Sequence, residues 1–382
     1  MSHRSSTALA LVVTGALAAT TVSMPAAFAA DDENHVQSTV TPNSDTPAPE
    51  AIQASSNDAQ SGAPAPSDTT DEAVDENASA TPEPADDTPT TIIVQLEDGN
   101  VGIPWYNRIF GLSTSTKHET VKDRIETAVE SSVPGSDVTD VLDYTKAFDG
   151  FAIQAPASSL ETIKATQGVK AAFIERHLKP LVVEGDTGVS GADAVNPDLK
   201  NGSSLEMTRA NQTSQKGDKQ VIEVIDTGIE STHPAFSGPM DDVPVRLSQK
   251  DVESLVGTLS HGKQGAYLNK KIPFVFDYAD NDANVLPTST KDLSHGTHVA
   301  AIAAANAPDL QGTAPNAQII VAKVAADKDG SIPDSTVLAA LDDAVIIKPD
   351  SINLSLGDDA GWGSEAGTVY AEVYKNLAEA GV

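Results

Sequence analysis

The stretch Leu293-Ser294-His295-Gly296-Thr297-His298-Val299-Ala300 sets a histidine between a serine and a glycine, ahead of a run of small apolar residues. Ser294 has the side chain of an N-cap, and Val299 to Ala305 has the composition of a tightly packed helix, so a helix is predicted over 295–306. His295 then stands on the first turn, at the mouth of a sheet–helix layer. Upstream, Val221-Ile222-Glu223-Val224-Ile225-Asp226-Thr227-Gly228 reads as an apolar strand that ends in a carboxylate and breaks at a glycine. An aspartate at the carboxyl end of a parallel strand and a histidine at a nearby helix start are two parts of a charge relay.

The surroundings support a layered fold. Strands are predicted at 221–225, 273–278, 317–324 and 350–354, alternating with helices at 295–306, 336–347 and 365–380, after a short helix at 205–211. Repeated β-α units with apolar strands make an α/β domain with a parallel sheet covered on both faces. Gly381-Val382 reads as the start of another strand. A smaller pattern precedes this domain: a strand at 91–96, an amphipathic helix at 119–131 with Val121, Ile125 and Val129 on one face, and two short strands meeting near Asp149-Gly150. A helix capped by Ser158 and a strand at 169–174 complete it. The order β-α-β-β-α-β predicts a compact α+β domain over 91–180, with no cluster of His, Asp or Glu fit for chemistry. Residues 181–202 read as a linker, and 203–382 as the second domain.

Composition narrows the function. The 382 residues hold 55 acidic against 24 basic side chains, a net charge of −31, which argues against nucleic acid and anionic membranes as partners. No cysteine is present, so disulfides, thiolate catalysis and cysteine-based zinc sites are excluded. Residues 1–29 read as a signal peptide: His3 and Arg4, an apolar run from Ala8 to Val22, then Ala27-Phe28-Ala29. Secretion is expected, with no membrane span in the mature chain. Residues 30–90, rich in Pro, Thr, Ser and Ala and acidic, bury too little apolar surface to fold and read as a disordered spacer.

Two other chemistries share parts of these motifs. Asp-Thr-Gly also marks aspartic proteases, which need a second such carboxylate and an all-β chain. His295 and His298 lie three apart, as metal ligands do, but without the glutamate of the His-Glu-x-x-His pattern; no metal ligand is assigned. His298 is expected to be structural.

Asp226-Thr227-Gly228-Ile229 with His233-Pro234, and Ser294-His295-Gly296-Thr297-His298-Val299-Ala300, resemble the aspartate and histidine motifs of the subtilisin-like serine proteases, peptidase family S8. Gly312-Thr313-Ala314-Pro315 resembles the family's turn into a central strand, and Ser351-Ile352-Asn353-Leu354-Ser355-Leu356-Gly357 its cleft-lining segment. Phe274-Val275-Phe276-Asp277-Tyr278-Ala279-Asp280 is most similar to the cell-envelope proteinases of Gram-positive bacteria. The chain order Asp, His, Ser given for subtilisin is met by its first two members.

The resemblance implies a secreted serine endopeptidase. His295 would be the general base, Asp226 would hold its tautomer, and Ser355, Leu356 and Gly357 would pair with a polypeptide substrate as an added strand. The domain at 91–180 resembles the family's propeptide, packing on the catalytic domain. No Gly-Thr-Ser-x-Ala follows His295; Ser355 belongs to the cleft strand, Ser364 lacks the motif, and the oxyanion asparagine would fall past Val382. The resemblance thus implies a catalytic domain cut short before its nucleophile, inactive as this chain. The alternative is a non-catalytic secreted protein that binds peptides or a protease. No cofactor is required for the chemistry. Relatives often carry structural calcium, for which Asp280–Asn284 and Asp327–Ser331 are the candidate loops; the first has Val285 and Lys291 where an EF-hand has Gly and Glu.

Overall fold

A computed structural model describes residues 87–97, 114–181, 205, 208–287, 294–358 and 364–382. The expected signal peptide, the spacer up to residue 86 and the linker from 182 to 202 lie outside them. The smaller pattern contains β1 (Pro89–Leu96), α1 (Thr114–Ser132), β2 (Thr139–Tyr144), β3 (Gly150–Pro156), α2 (Leu160–Lys164) and β4 (Val169–Ile174). These form an antiparallel sheet of order β2-β3-β1-β4, the split-βαβ order expected. Ile92, Val94 and Leu96 meet Val121, Ile125 and Val129 of α1 on one face. Because strand side chains alternate, Ile93 points to the other face, where Ala152, Tyr144, Phe148 and Phe173 join it.

That second face is not solvated. It shares one continuous core with α5 (Asp334–Ile347) and α6 (Ser364–Ala380), through Val337, Leu338, Leu341, Val369, Tyr370 and Val373. Fully burying each large apolar side chain contributes roughly 1.5–3 kcal/mol, so this contact is a major part of the fold. Polar groups fix its register. Asp342 Oδ1 accepts the backbone N–H of Thr145 (3.2 Å), Lys146 (2.7 Å) and Ala147 (2.7 Å), and Glu175 Oε1 accepts the N–H of Ser335 in the first turn of α5.

The larger unit contains β6 (Val221–Asp226), α3 (Gln249–Val256), β7 (Phe274–Asp277), α4 (His295–Ala304), a hairpin of β8 (Asn306–Ala307) and β9 (Leu310–Gln311), and β10 (Gln318–Lys323). After α5 come β12 (Ser351–Leu354) and α6. The parallel sheet has the order β12-β6-β10-β7. Val224, Ile319, Val321 and Val275 face α4, while Val221, Ile225, Ile320 and Phe276 face α5. Glu223 shares that second face of β6. It is 0% exposed, and neither carboxylate oxygen has a hydrogen-bond partner among the described residues. Burial first, and the charge of Asp343 second, push its pKa from 4.5 to about 8.

Several local expectations are corrected. Ser294 has helical dihedrals and makes no side-chain cap; its carbonyl accepts the first bond of α4, from His298. Ser158 donates its hydroxyl to Asp87 instead of capping. Of the helix expected over 205–211, Leu205 is helical, residues 206 and 207 lie outside the described residues, and Ala210–Gln212 forms a 3₁₀ turn after a left-handed Arg209. Gly381 and Val382 are not strand: Gly381 takes φ +90°, its N–H reaches Ala378 and that of Val382 reaches Leu377, a Schellman cap on α6.

One more strand follows β4, just before the segment read as linker. His177–Pro180 is a strand, β5, which lies between β11 (Ile332–Pro333) and β13 (Leu356–Gly357) in a three-stranded antiparallel sheet. Among the described residues no helix is long and apolar enough to cross a membrane.

Candidate active site

The site forms where β6 ends and α4 begins. Gly228 takes φ +104°, which turns the chain away after Asp226-Thr227. Gly296 lets α4 press on that turn: a Cβ there would stand 2.2 Å from the Gly228 carbonyl oxygen and 3.1 Å from Asp226 Cβ. Two cross-bonds hold the approach. Gly296 N–H donates to Thr227 Oγ1 at 3.1 Å, and Glu230 N–H donates to Thr297 Oγ1 at 2.9 Å.

His295 Nδ1 then lies 2.8 Å from Asp226 Oδ1, which also accepts the Thr227 N–H at 2.7 Å. Asp226 is buried, and its Oδ2 has no hydrogen-bond partner among the described residues. Burial disfavours the charged imidazole, but the bonded, negatively charged Asp226 outweighs it and raises the His295 pKa above 6.5. His295 Nε2 faces the Leu181 carbonyl oxygen at 3.3 Å. Both ring nitrogens therefore look at oxygen acceptors, an environment that favours the doubly protonated ring.

Leu181 arrives there on a backbone rail. Leu356 pairs with Pro180 and Gly357 with Lys179, and the Leu181 N–H donates to the Ser355 carbonyl at 2.9 Å. On the other side Ile332 pairs with Leu178 and Pro333 with His177. Leu178 is 4% exposed, in the core with Ile332, Val337, Leu338 and Leu356, whereas Leu181 is 62% exposed. Gly357 leaves room for Leu181: a Cβ at 357 would stand 2.8 Å from Leu181 Cδ2. The structure thus gathers Asp226, His295, Ser355, Leu356 and Gly357 around the chain's own residues 178–181. His298 is not brought in; it sits exposed on α4. No serine hydroxyl is bonded to His295 among the described residues; Ser355 Oγ accepts instead from Asn353 Nδ2.

The two candidate calcium loops converge, with a cation already between them. Asp277, Asp280 and Asp327 each present an oxygen within 4.8 Å of the others. The buried Lys323 ammonium donates to Asp277 Oδ2 at 2.6 Å and to Asp327 Oδ1. Asp277 and Asp327 are thus already paired with a cation, and no residue is assigned as a calcium ligand. The smaller unit also holds a polar cluster that sequence reading missed. Buried His118 lies between Asp143 Oδ1 (2.8 Å) and Asp149 Oδ1 (2.7 Å), flanked by Lys117 and Lys122. Although burial works against it, bonds to the two carboxylates raise the His118 pKa.

Comparison with known proteins identifies one family. The profile of the subtilase family, Peptidase S8, matches residues 217–380. The PI-type proteinase of Lactococcus lactis subsp. cremoris is 30% identical over 263 residues, 67% of this chain and 12% of that protein. A thermophilic serine proteinase of Bacillus sp. (strain AK1) is 34% identical over 147 residues, 37% of this chain and 26% of that protein. Subtilisin-like protease SBT2.4 of Arabidopsis thaliana is 28% identical over 271 residues, 64% of this chain and 30% of that protein. The chain therefore spans a small part of the length of each relative. With the aspartate strand, the histidine helix and the profile falling on the same residues, the chain belongs to the subtilase family of serine peptidases through residues 217–380.

Proposed function

We propose that this chain carries the base and substrate-aligning half of a secreted serine endopeptidase, with its cleft filled by its own β5. The observation that carries the reading is the His295 ring, bonded to Asp226 on one nitrogen and facing a peptide carbonyl on the other. In such a site Asp226 selects the tautomer with the proton on Nδ1, and His295 Nε2 takes a proton from a nucleophile and later gives it to the leaving amine. Ser355, Leu356 and Gly357 supply backbone groups that align an extended polypeptide. No serine hydroxyl among the described residues is bonded to His295, and the nucleophile and oxyanion donor are left unassigned.

The smaller domain acts as a propeptide-like inhibitor, since the segment that follows it seats Leu181 at the imidazole. Export is part of the same reading, from the apolar run Ala8–Val22 and Ala27-Phe28-Ala29. A second reading, a peptide-binding protein without catalysis, draws on the same three-stranded pairing.

The test is to titrate the His295 ring by NMR in the full chain and in Asp226→Asn, alongside fluorophosphonate labelling. We expect a pKa above 6.5 that falls in the variant, and no labelled serine. A His295 titration indifferent to Asp226→Asn would refute the relay. Labelling lost on His295→Ala would show that a serine within the chain completes the triad.

A further inference from the structure

The β5 rail continues one residue ahead of His177, two positions from the apolar Leu178 site, and what it meets there is acidic. Asp334 N–H donates to the Arg176 carbonyl at 3.0 Å, so the antiparallel ladder includes Arg176. The Arg176 side chain then folds onto the same aspartate: Nε lies 3.0 Å from Asp334 Oδ2, and a terminal guanidinium nitrogen lies 2.9 Å from Oδ1. Its own backbone N–H donates to Oδ2 at 2.9 Å. Asp334 is wholly buried, and the Tyr370 hydroxyl donates to its Oδ1 at 2.7 Å, holding the carboxylate in place. The guanidinium carbon lies 6.0 Å from the Tyr370 ring centre, and Asp358, just past β13, adds its charge to the same pocket.

We propose that Asp334 and Tyr370 form a specificity subsite for arginine in the polypeptide bound along this cleft. The arginine would be the sixth residue back, counting the residue whose carbonyl meets His295 as the first. The inference rests on the cleft reading above and adds the class of substrate. Asp334 belongs to α5 and Tyr370 to α6, so the subsite stays with the larger unit when another peptide replaces residues 176–181. The fork geometry selects arginine over lysine, because two parallel N–H bonds need a planar guanidinium, which a lysine ammonium cannot supply.

The experiment uses the full chain with Arg176→Ser and Leu178→Asp, which weaken the resident strand at its two anchored side chains. Three peptides are titrated by fluorescence anisotropy: acetyl-Arg-Ala-Leu-Ala-Pro-Leu and its counterparts with lysine or norleucine in first place. The arginine peptide is expected to bind roughly ten- to a hundredfold more tightly than the norleucine one, with lysine between them. Adding Asp334→Asn should remove most of that ratio while leaving norleucine-peptide binding in place. Equal binding of arginine and norleucine peptides overturns the subsite while leaving the cleft reading standing, with Arg176 then only a clasp for the smaller domain. Binding of neither peptide overturns the cleft reading and the subsite with it. Equal loss of both peptides on Asp334→Asn marks a folding defect; Tyr370→Phe then decides, and an unchanged arginine preference in it removes the tyrosine from the subsite.

Discussion

Glu223 offers the most direct quantitative test of the fold. It stands in the middle of a central strand, with both oxygens buried and unpartnered among the described residues, and its pKa is raised from 4.5 to about 8. A carboxyl group raised in this way keeps its proton in the folded state at pH values where the unfolded chain has lost it. Below about pH 4.5 both states are protonated and the group costs nothing through ionisation. Between 4.5 and about 8 the unfolded state is favoured by about 1.4 kcal/mol per pH unit, which sums to roughly 5 kcal/mol, and above 8 the loss is complete. Water reaching the carboxylate would reduce this sum, so we expect about 2–4 kcal/mol. Glu223→Leu fills nearly the same volume with apolar surface and should gain that amount more at pH 8 than at pH 4.5, where its gain is only that of replacing an unpartnered protonated carboxyl. Glu223→Gln should flatten the pH dependence with a smaller gain, because an unpartnered amide remains. Urea unfolding at half-unit steps from pH 4.5 to 8.5 measures both. Parent and leucine variant running parallel across that range would refute the argument and mean that Glu223 is solvated or paired in solution.

Other consequences follow from single contacts. Gly296→Ala places a Cβ 2.2 Å from the Gly228 carbonyl; displacement of α4 should cost about 1–3 kcal/mol in urea unfolding and lower the His295 pKa as Asp226 moves away. Asp342→Ala strips three backbone N–H groups of their acceptor and should destabilise the full chain by about 2–4 kcal/mol, with earlier proteolysis near Thr145–Ala147; unchanged protection would show that apolar contact alone holds the domain. Lys323→Met removes the cation between Asp277 and Asp327 and should cost about 3–5 kcal/mol in buffer with a chelator. Millimolar calcium should then raise the melting temperature of that variant and leave the parent unchanged; an equal response in both would contradict the assignment of that place to the lysine.

The parts legible in the sequence are those whose signal is local. Val221–Gly228 shows its strand, carboxylate and break within eight residues, and the small residues after His295 announce a helix that packs closely. The β-α-β-β-α-β order was readable because each element carries its own period. The pairing of β5 with β11 and β13 was not, since β5 is four residues long and its partners are two each, too short for any period to register. His118 was passed over because its carboxylates lie 25 and 31 residues away and meet it only when α1 packs on the sheet. Ser294 misled for a related reason: the start of α4 is fixed by Gly296 against Gly228, which leaves its hydroxyl no capping work.

The core shared by the smaller sheet and α5 and α6 has a mechanical consequence. Leu178, on β5, lies in the same cluster as Phe173, Tyr144 and Phe148, which hold the domain to those helices. A peptide bound only by its own strand can peel away from one end, residue by residue. This strand is rooted in a docked sheet, so withdrawing it disturbs the apolar contacts of Tyr370 and Val373 as well. The strand is therefore expected to leave as a hinge-pinned door opens, in one movement of the whole panel. Denaturant, heat or a competing protein would then uncover His295 in a single cooperative step.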